Sequence, residues 1–460
     1  MKNINCLKIA VDAFPYKESI HQICDYSGEQ IYKKQALTLF KEQNRSIYNL
    51  AAKSYLLSNN YKNIEIEIKD NLYWQNGEQV FAEDFARSIK FLCRDKGNRF
   101  RTLFSDVENF KEYSIYISND IGIHCPDKYT LCINLKYPNV YMRNNLSLIS
   151  TSPLHISNSH LSAGPYFLSS LEENKFLLKK NKHYSLDEVA NSFNEIEFIK
   201  IKEDKFADNF QCGNIDVSCD TCLDYNYYKL ARNSINFKEI SSKLIMLLSP
   251  WKKFKEIPEA VKYIIINAIN RKELSDRFDG ILKESFSYLD LYDYSYKEKI
   301  IKKIEPLCEP FNLTIAYEDF YPNKEIVKLI ANQLKAYNIN LLPEVDEYGK
   351  WDSCTHLRFE IRWSMRSTPL LFYKSDLSRG FITDQEFEEA RKYYSYILQN
   401  NKEEENVIFY KKLDQILIRN AVYIPLLSMP SGYFIRPYIV NSSLFDQGTF
   451  IHYLNNIESV

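Results

Sequence analysis

Glycine is scarce in this 460-residue chain, with 11 residues that never cluster. Neither G-x-G-x-x-G nor G-x-x-x-x-G-K occurs, so the glycine-rich loops that cradle phosphates in nucleotide enzymes are excluded. No G-x-S-x-G elbow occurs either, which removes the usual serine-hydrolase signature. The seven histidines are scattered. His155 and His160 are the closest pair, and no H-E-x-x-H spacing appears. No cofactor is expected.

Excess charge of one sign is also missing. A formal net charge of −1 gives no basic footprint for nucleic acid or an anionic membrane, so no direct nucleic-acid contact is expected. Long apolar runs are absent: nothing approaches the ~18 residues that cross a bilayer. At the start, MKNINCLKIAVDAF, the longest uninterrupted apolar run is Ile9-Ala10-Val11, because Lys8 and Asp12 break it. An export signal needs an apolar core of ~7–15 residues. Ten scattered cysteines suit a reducing compartment. The sequence as written therefore predicts a cytoplasmic address. An extracytoplasmic one is the alternative, if the true start lies upstream.

What is present describes an ordinary globular protein, 45% apolar and 26% charged, long enough for two or three domains. Its 35 tyrosines reflect either an AT-rich genome or aromatic-lined binding surfaces. Leu7–Val11 reads as an opening strand, and residues 29–58 read as helical, with Leu37, Leu39 and Phe40 followed by Leu50, Ala51 and Tyr55. Next, Ile64, Ile66 and Ile68 alternate as a strand, Asn76-Gly77 supplies a turn, and Phe85, Ile89 and Leu92 form a helical stripe. Residues 129–135 alternate as a strand. Ala163-Gly-Pro-Tyr166 is a turn feeding strand 174–180, and strand 195–201 precedes Gly213-Asn-Ile-Asp216.

Residues 257–278 read as one helix with Pro258 in its first turn. A strand at Leu313–Tyr317, a helix capped by Asn323 and a strand at Ile339–Val345 form a βαβ unit with parallel strands. Helices follow near 384–399 and 403–420. The acidic run Glu403-Glu-Glu405 stands at the start of the second, where negative charge is favourable.

The order strand, Trp74-Gln-Asn-Gly77, Ala82-Glu-Asp84 resembles the "strand, Trp-Ser-Asp-Gly, Thr-Ala-x-Asp helix" signature of family 5 extracellular solute-binding proteins. These are the oligopeptide, dipeptide and nickel receptors of ABC importers. Phe81 replaces the usual Thr. Further along, Ala163-Gly-Pro-Tyr166 resembles Gly-Thr-Gly-Pro-Tyr, Asn181-Lys-His-Tyr184 resembles Asn-Pro-x-Tyr, and Gly213-Asn-Ile-Asp216 matches Gly-x-Ile-Asp. Ala268-Ile-Asn-Arg271 is similar to Ala-Ile-Asp-Arg, and Ile424-Pro-Leu426 to a motif near the family's C-terminus.

The resemblance implies an α/β fold: a two-lobed type II periplasmic-binding-protein clamshell with an extra inserted N-terminal domain. It divides as lobe I (1–38 with 163–248 and 428–460), the inserted domain (39–162) and lobe II (249–427). The implied function is binding a small-molecule or peptide-like ligand by hinge closure. The protein is then a monomer and not an enzyme, with an ABC-transporter permease as partner if exported. A cytoplasmic module resembling the ligand-sensing part of sugar-phosphate-stress regulators is the alternative. An enzyme on the same scaffold is a second alternative.

One departure bears on the ligand. At Trp363-Ser-Met-Arg-Ser-Thr-Pro369 the peptide receptors resemble Trp-x-Ala-Asp-Tyr-x-x-Pro, whose Asp pairs with a peptide's ammonium. Counting from Trp363 puts Arg366 at the Asp position, and counting back from Pro369 puts Met365 there. Burying an ammonium without a counter-charge is costly, whereas a guanidinium suits a carboxylate or phosphate. The expected ligand residues are thus Trp363, Met365, Arg366 and Arg362. By strand period Arg358, Glu360, Arg362 and Arg366 share one face, which is either solvated or a basic strip facing ligand. Cys212, Cys219 and Cys222 read either as ordinary thiols or as a metal or redox group.

Overall fold

In the computed structural model the described residues are 6–43, 46–186, 193–202, 205–218, 228, 232–288, 304–363, 369–437, 439–440 and 458–459. Three larger sheets, of four, four and six strands, organise them, beside two two-stranded ones. The first has the order Cys6–Val11, Glu195–Lys200, Lys175–Lys180, Tyr166–Glu172, with a parallel first pair and antiparallel neighbours after it. The turn at 163–166 therefore feeds a hairpin of two strands rather than one.

The alternating strand folds as read, at Asn63–Ile68, between Ala52–Ser58 and Thr130–Asn134 in a four-stranded antiparallel sheet. Ile64, Ile66 and Ile68 are buried under helix Ala82–Arg94, which contributes Phe85, Ile89 and Leu92 to the same core. Each such side chain stabilises the domain by about 1.5–3 kcal/mol. Phe81 has no hydroxyl to cap this helix. The Asp84 carboxylate instead accepts from the Phe81 N–H at 2.9 Å, so the third helical residue satisfies the end.

Residues 29–58 depart from the helical reading. The helix ends at Tyr32, and strands Phe40–Gln43, Ser46–Asn49 and Ala52–Ser58 follow. Leu37, Leu39, Phe40, Leu50 and Ala51 are buried as expected, but Tyr48 and Leu56 are exposed. A single helical stripe would have covered them. Ladder pairing decides the extended form: Phe40–Gln43 pairs with Ser46–Asn49, and Ala52–Ser58 pairs with Asn63–Ile68.

The third sheet has six strands in the order Lys283–Glu284, Ile424–Phe434, Phe237–Pro250, Leu357–Trp363, Phe311–Glu318, Ile339–Asp346. Its last two strands are parallel and joined by helix Asn323–Lys335, which is the βαβ unit read from the sequence. Asn323 is the first helical residue rather than the cap, and its Nδ2 donates to the Glu318 carbonyl at 2.9 Å. The helix expected over 257–278 is broken. Glu259–Ala268 ends before Asn270, whose Oδ1 accepts from the Glu273 N–H at 3.1 Å and starts Arg271–Asp276.

Two long antiparallel strands, Phe237–Pro250 and Ile424–Phe434, run out of this sheet toward the first one. At their outer end Phe237 and Phe434 pack with Phe206 and Phe210, and Val217 bridges both Ile9 and Ile435. The fold is α/β and two-lobed, with the four-stranded sheet of residues 52–134 and its helix as the added domain. Helices Asp384–Gln399 and Glu403–Arg419 cover the six-stranded lobe, the second opening on Glu403, Glu404 and Glu405.

Candidate functional site

The motifs that carry the resemblance are staples of the scaffold. Gln75 and Ser162 exchange hydrogen bonds at 2.9 Å each, joining the Trp74 turn to the segment before Gly164. Asn181 donates to the Gly164 carbonyl at 3.0 Å, and a Cβ at Gly164 would collide with the Gln35 carbonyl. Trp74 is buried and meets the edge of His155, whose Nε2 lies 2.6 Å from Glu78. Asp216 Oδ2 accepts from the Lys8 N–H at 2.9 Å and fixes the opening strand. Arg271 donates to the Pro425 carbonyl at 2.7 Å, tying the Ala-Ile-Asn-Arg motif to Ile-Pro-Leu.

The strand Leu357–Trp363 carries the candidate site. Its charged face is neither solvated nor a free basic strip. Arg358 is buried between Asp346 (3.1 Å) and Glu318 (2.8 Å). Arg362 is buried too, and its five N–H donors are all engaged. Nε and one Nη2 N–H bond Glu360, at 3.0 and 2.8 Å, and Nη2 also reaches Tyr423 at 2.8 Å. Nη1 bonds Asp376 at 2.8 Å and the Tyr288 hydroxyl. A guanidinium has five donors, so none remains for a ligand. Burial pushes the Glu360 carboxyl up, but Arg362, Arg379 and Arg358 outweigh it and hold the pKa at about 2. Ser249 donates to its other oxygen at 2.7 Å.

Beyond this network the strand reaches the meeting of the lobes. Trp363 pairs through its backbone with Leu244, which pairs in turn with Met429. Tyr26, from the helix that follows the opening strand, packs against Leu244, as do Ile361 and Met429. Nearby, the Tyr348 hydroxyl donates to Asp25 Oδ2 at 3.0 Å and accepts from the Ser27 N–H at 3.3 Å. The Ser27 hydroxyl donates to Asp12 at 3.0 Å. Gly349, with φ of +78°, lies so close to Tyr16 that a Cβ there would clash with it. A second cross-contact joins Lys374 to Asp106 of the inserted domain at 2.5 Å, with both side chains buried.

The structure thus brings Arg362 and the Trp363 backbone to the edge of the interlobe region. Met365 and Arg366 lie outside the described residues, as do Cys219 and Cys222. Cys212 is an exposed free thiol. Among the described residues no group of three His, Cys, Asp or Glu side chains could hold a metal ion. Sequence reasoning missed Tyr26, Asp25 and Tyr348. The signal for Asp25 was its place before a short helix, and the turn glycine after Tyr348 was the other available sign.

Comparison with known proteins sharpens this picture. The model of bacterial extracellular solute-binding proteins, family 5 (middle), matches residues 46–366, more than half of the chain. The chain belongs to this family. A binding protein of Haemophilus influenzae is 26% identical over 149 residues, a match that spans 31% of this chain and 29% of that relative. Among solved structures, Haemophilus influenzae OppA in complex with the peptide RPPGFSPFR superposes with a TM-score of 0.83 at 15% identity, covering 99% of each chain. The Escherichia coli murein tripeptide binding protein MppA gives 0.83 at 16% identity over 96% of each. The unliganded open form of MppA gives only 0.62 at 16% identity, over 96% of this chain and 95% of that one.

The family and these neighbours are substrate-binding proteins rather than enzymes, and this family 5 chain carries their fold. The family is described as extracellular, so the expectation of a cytoplasmic address finds no support in it. Among the described residues no helix is long and apolar enough to cross a membrane.

Proposed function

We propose that this family 5 protein is an extracytoplasmic receptor that closes two lobes over a small peptide-like ligand and delivers it to an ABC-transporter permease. The lobes are assigned as 1–38, 163–248 and 428–460 against 249–427, with 39–162 inserted. The observation that carries the reading is the contact of Tyr26 with Leu244, the backbone ladder partner of Trp363. The strands Phe237–Pro250 and Ile424–Phe434 serve as the hinge, since they are the long ladder passing between the lobes. Two further observations support the closed arrangement: the Tyr348–Asp25 hydrogen bond and the better fit to the other MppA structure than to its open form.

In this reading Trp363 is an aromatic wall and Arg366 a charge anchor, with Met365 beside them. Arg362 acts underneath, holding the strand end in place through Asp376 and Glu360. Since no carboxylate follows Trp363 where peptide receptors place one, the ligand presents an anionic or blocked end rather than a free ammonium. Titration of a tripeptide and its N-acetylated form against the pure protein tests this. Equal or tighter binding of the acetylated peptide is expected, and Arg366→Ala weakens it. Clear preference for the free amine overturns the assignment.

A further inference from the structure

A cavity of about 170 Å3 lies between the first lobe and the inserted domain, lined by segments 18–37 and 152–168. No residue of the six-stranded lobe lines it, so it is separate from the region between the lobes. The volume is smaller than the roughly 300 Å3 at which drug-sized pockets begin. It is several times the ~30 Å3 that one water occupies in the liquid. A molecule the size of a single amino acid fits.

Its floor carries two polar side chains whose capacity the protein leaves unused. Gln35 is buried, and its Oε1 accepts from the Leu168 N–H at 3.2 Å while its Nε2 has no acceptor among the described residues. Ser152 is 3% exposed, and its hydroxyl has no partner among the described residues. An unpaired buried donor is costly, and such groups in a cavity are met by whatever the cavity holds. The walls are mixed: Ile20, Leu37 and Pro153 are apolar, while Tyr32, Ser159 and Ser162 are polar. At the mouth stand His160 and Glu18, both exposed. Glu18 has no basic partner among the described residues.

These groups define a ligand. The floor offers an amide donor and a hydroxyl but no cation, so a carboxylate there would be desolvated without a counter-charge. A carbonyl or hydroxyl oxygen matches it. Glu18 at the mouth matches an ammonium in solvent reach. We infer that this cavity is a second binding site, for a small primary amine that also carries a carbonyl or hydroxyl group, such as an amino-acid amide.

Calorimetric titration of the full chain with L-alaninamide, L-alanine and propionamide tests the assignment. Saturable binding of alaninamide is expected, with alanine weakened by its carboxylate and propionamide by its missing ammonium. Ser152→Ala and Glu18→Gln each weaken alaninamide by about tenfold, the worth of one hydrogen bond to a charged or desolvated partner. Neither substitution removes a hydrogen bond seen within the protein, so both variants keep the wild-type melting temperature or exceed it. Absence of saturable binding, or binding indifferent to both substitutions, overturns the proposal. Arg366→Ala leaves alaninamide binding unchanged, and loss there would place the amide between the lobes and overturn this second site. Failure of this test leaves the interlobe reading untouched.

Discussion

The Tyr348 hydroxyl donates to Asp25 Oδ2 at 3.0 Å, joining residues 323 positions apart in the chain, one from each of the two lobes as proposed above. The same carboxylate oxygen accepts from the Gly28 N–H at 2.8 Å, so Asp25 also caps helix Tyr26–Tyr32. One side chain therefore orders a helix end and meets the opposite lobe. Tyr348→Phe keeps the ring packed on Phe320 and removes only the hydroxyl. A hydrogen bond to a charged acceptor contributes about 1.5–3 kcal/mol, so ligand affinity is expected to fall by roughly tenfold to a hundredfold. Small-angle scattering of the unliganded variant is expected to show a larger radius of gyration than wild type. Unchanged affinity and radius would deny the pair any part in closure.

Arg362 and Asp376 form a buried pair at 2.8 Å. Asp376→Ala leaves the Nη1 donors of Arg362 with the Tyr288 hydroxyl alone while Glu360 still pairs Nε and Nη2, and breaking a buried pair costs up to about 3–5 kcal/mol. Urea unfolding is expected to show a loss of that size.

Asp414 is buried, accepting from the Tyr373 hydroxyl and, at 3.2 Å, from the Tyr288 N–H. Burial outweighs these bonds and pushes its pKa from 3.8 up to about 7. The folded protein thus keeps a proton that the unfolded chain releases. Its stabilising contribution is complete below pH 3.8 and is lost as pH rises toward about 7. Melting temperatures measured across that window are expected to fall less steeply in Asp414→Asn than in wild type. Identical slopes would remove Asp414 as the titrating group.

Gly77 has a φ of +90°, and a Cβ there would sit 3.4 Å from the His183 ring. Left-handed backbone costs an L-residue about 1–2 kcal/mol. Gly77→Ala is expected to destabilise by that amount in thermal unfolding. Gly97→Ala, without a positive φ and facing only the Asp95 side chain at 3.3 Å, serves as the near-neutral control.

How much was legible follows from what each signal measures. Ile64, Ile66 and Ile68, and the stripe Phe85, Ile89 and Leu92, reported their own burial because period and face are local properties. Asn270 reads as a helix cap only once the chain is seen to break at Ile269, since one continuous apolar pattern fits 257–278 as well. Residues 29–58 misled because Leu37, Leu39 and Leu50 are core residues in either conformation. Arg358 and Arg362 were correctly placed on one face, but a strand pattern says nothing about what covers that face. Asp346, Glu318 and Asp376 do so from other elements.

The sequence by itself determined the family, the α/β character, the βαβ unit and the turn at Trp74-Gln-Asn-Gly77. These rest on local periodicity and on residues such as Gly77 whose backbone freedom is intrinsic. The tertiary structure alone decided which charges are consumed inside the protein and which elements meet across the lobes. Ion pairs such as Arg362–Asp376 and contacts such as Tyr348–Asp25 depend on distances between segments, and distance between segments is not written in the order of residues within either one.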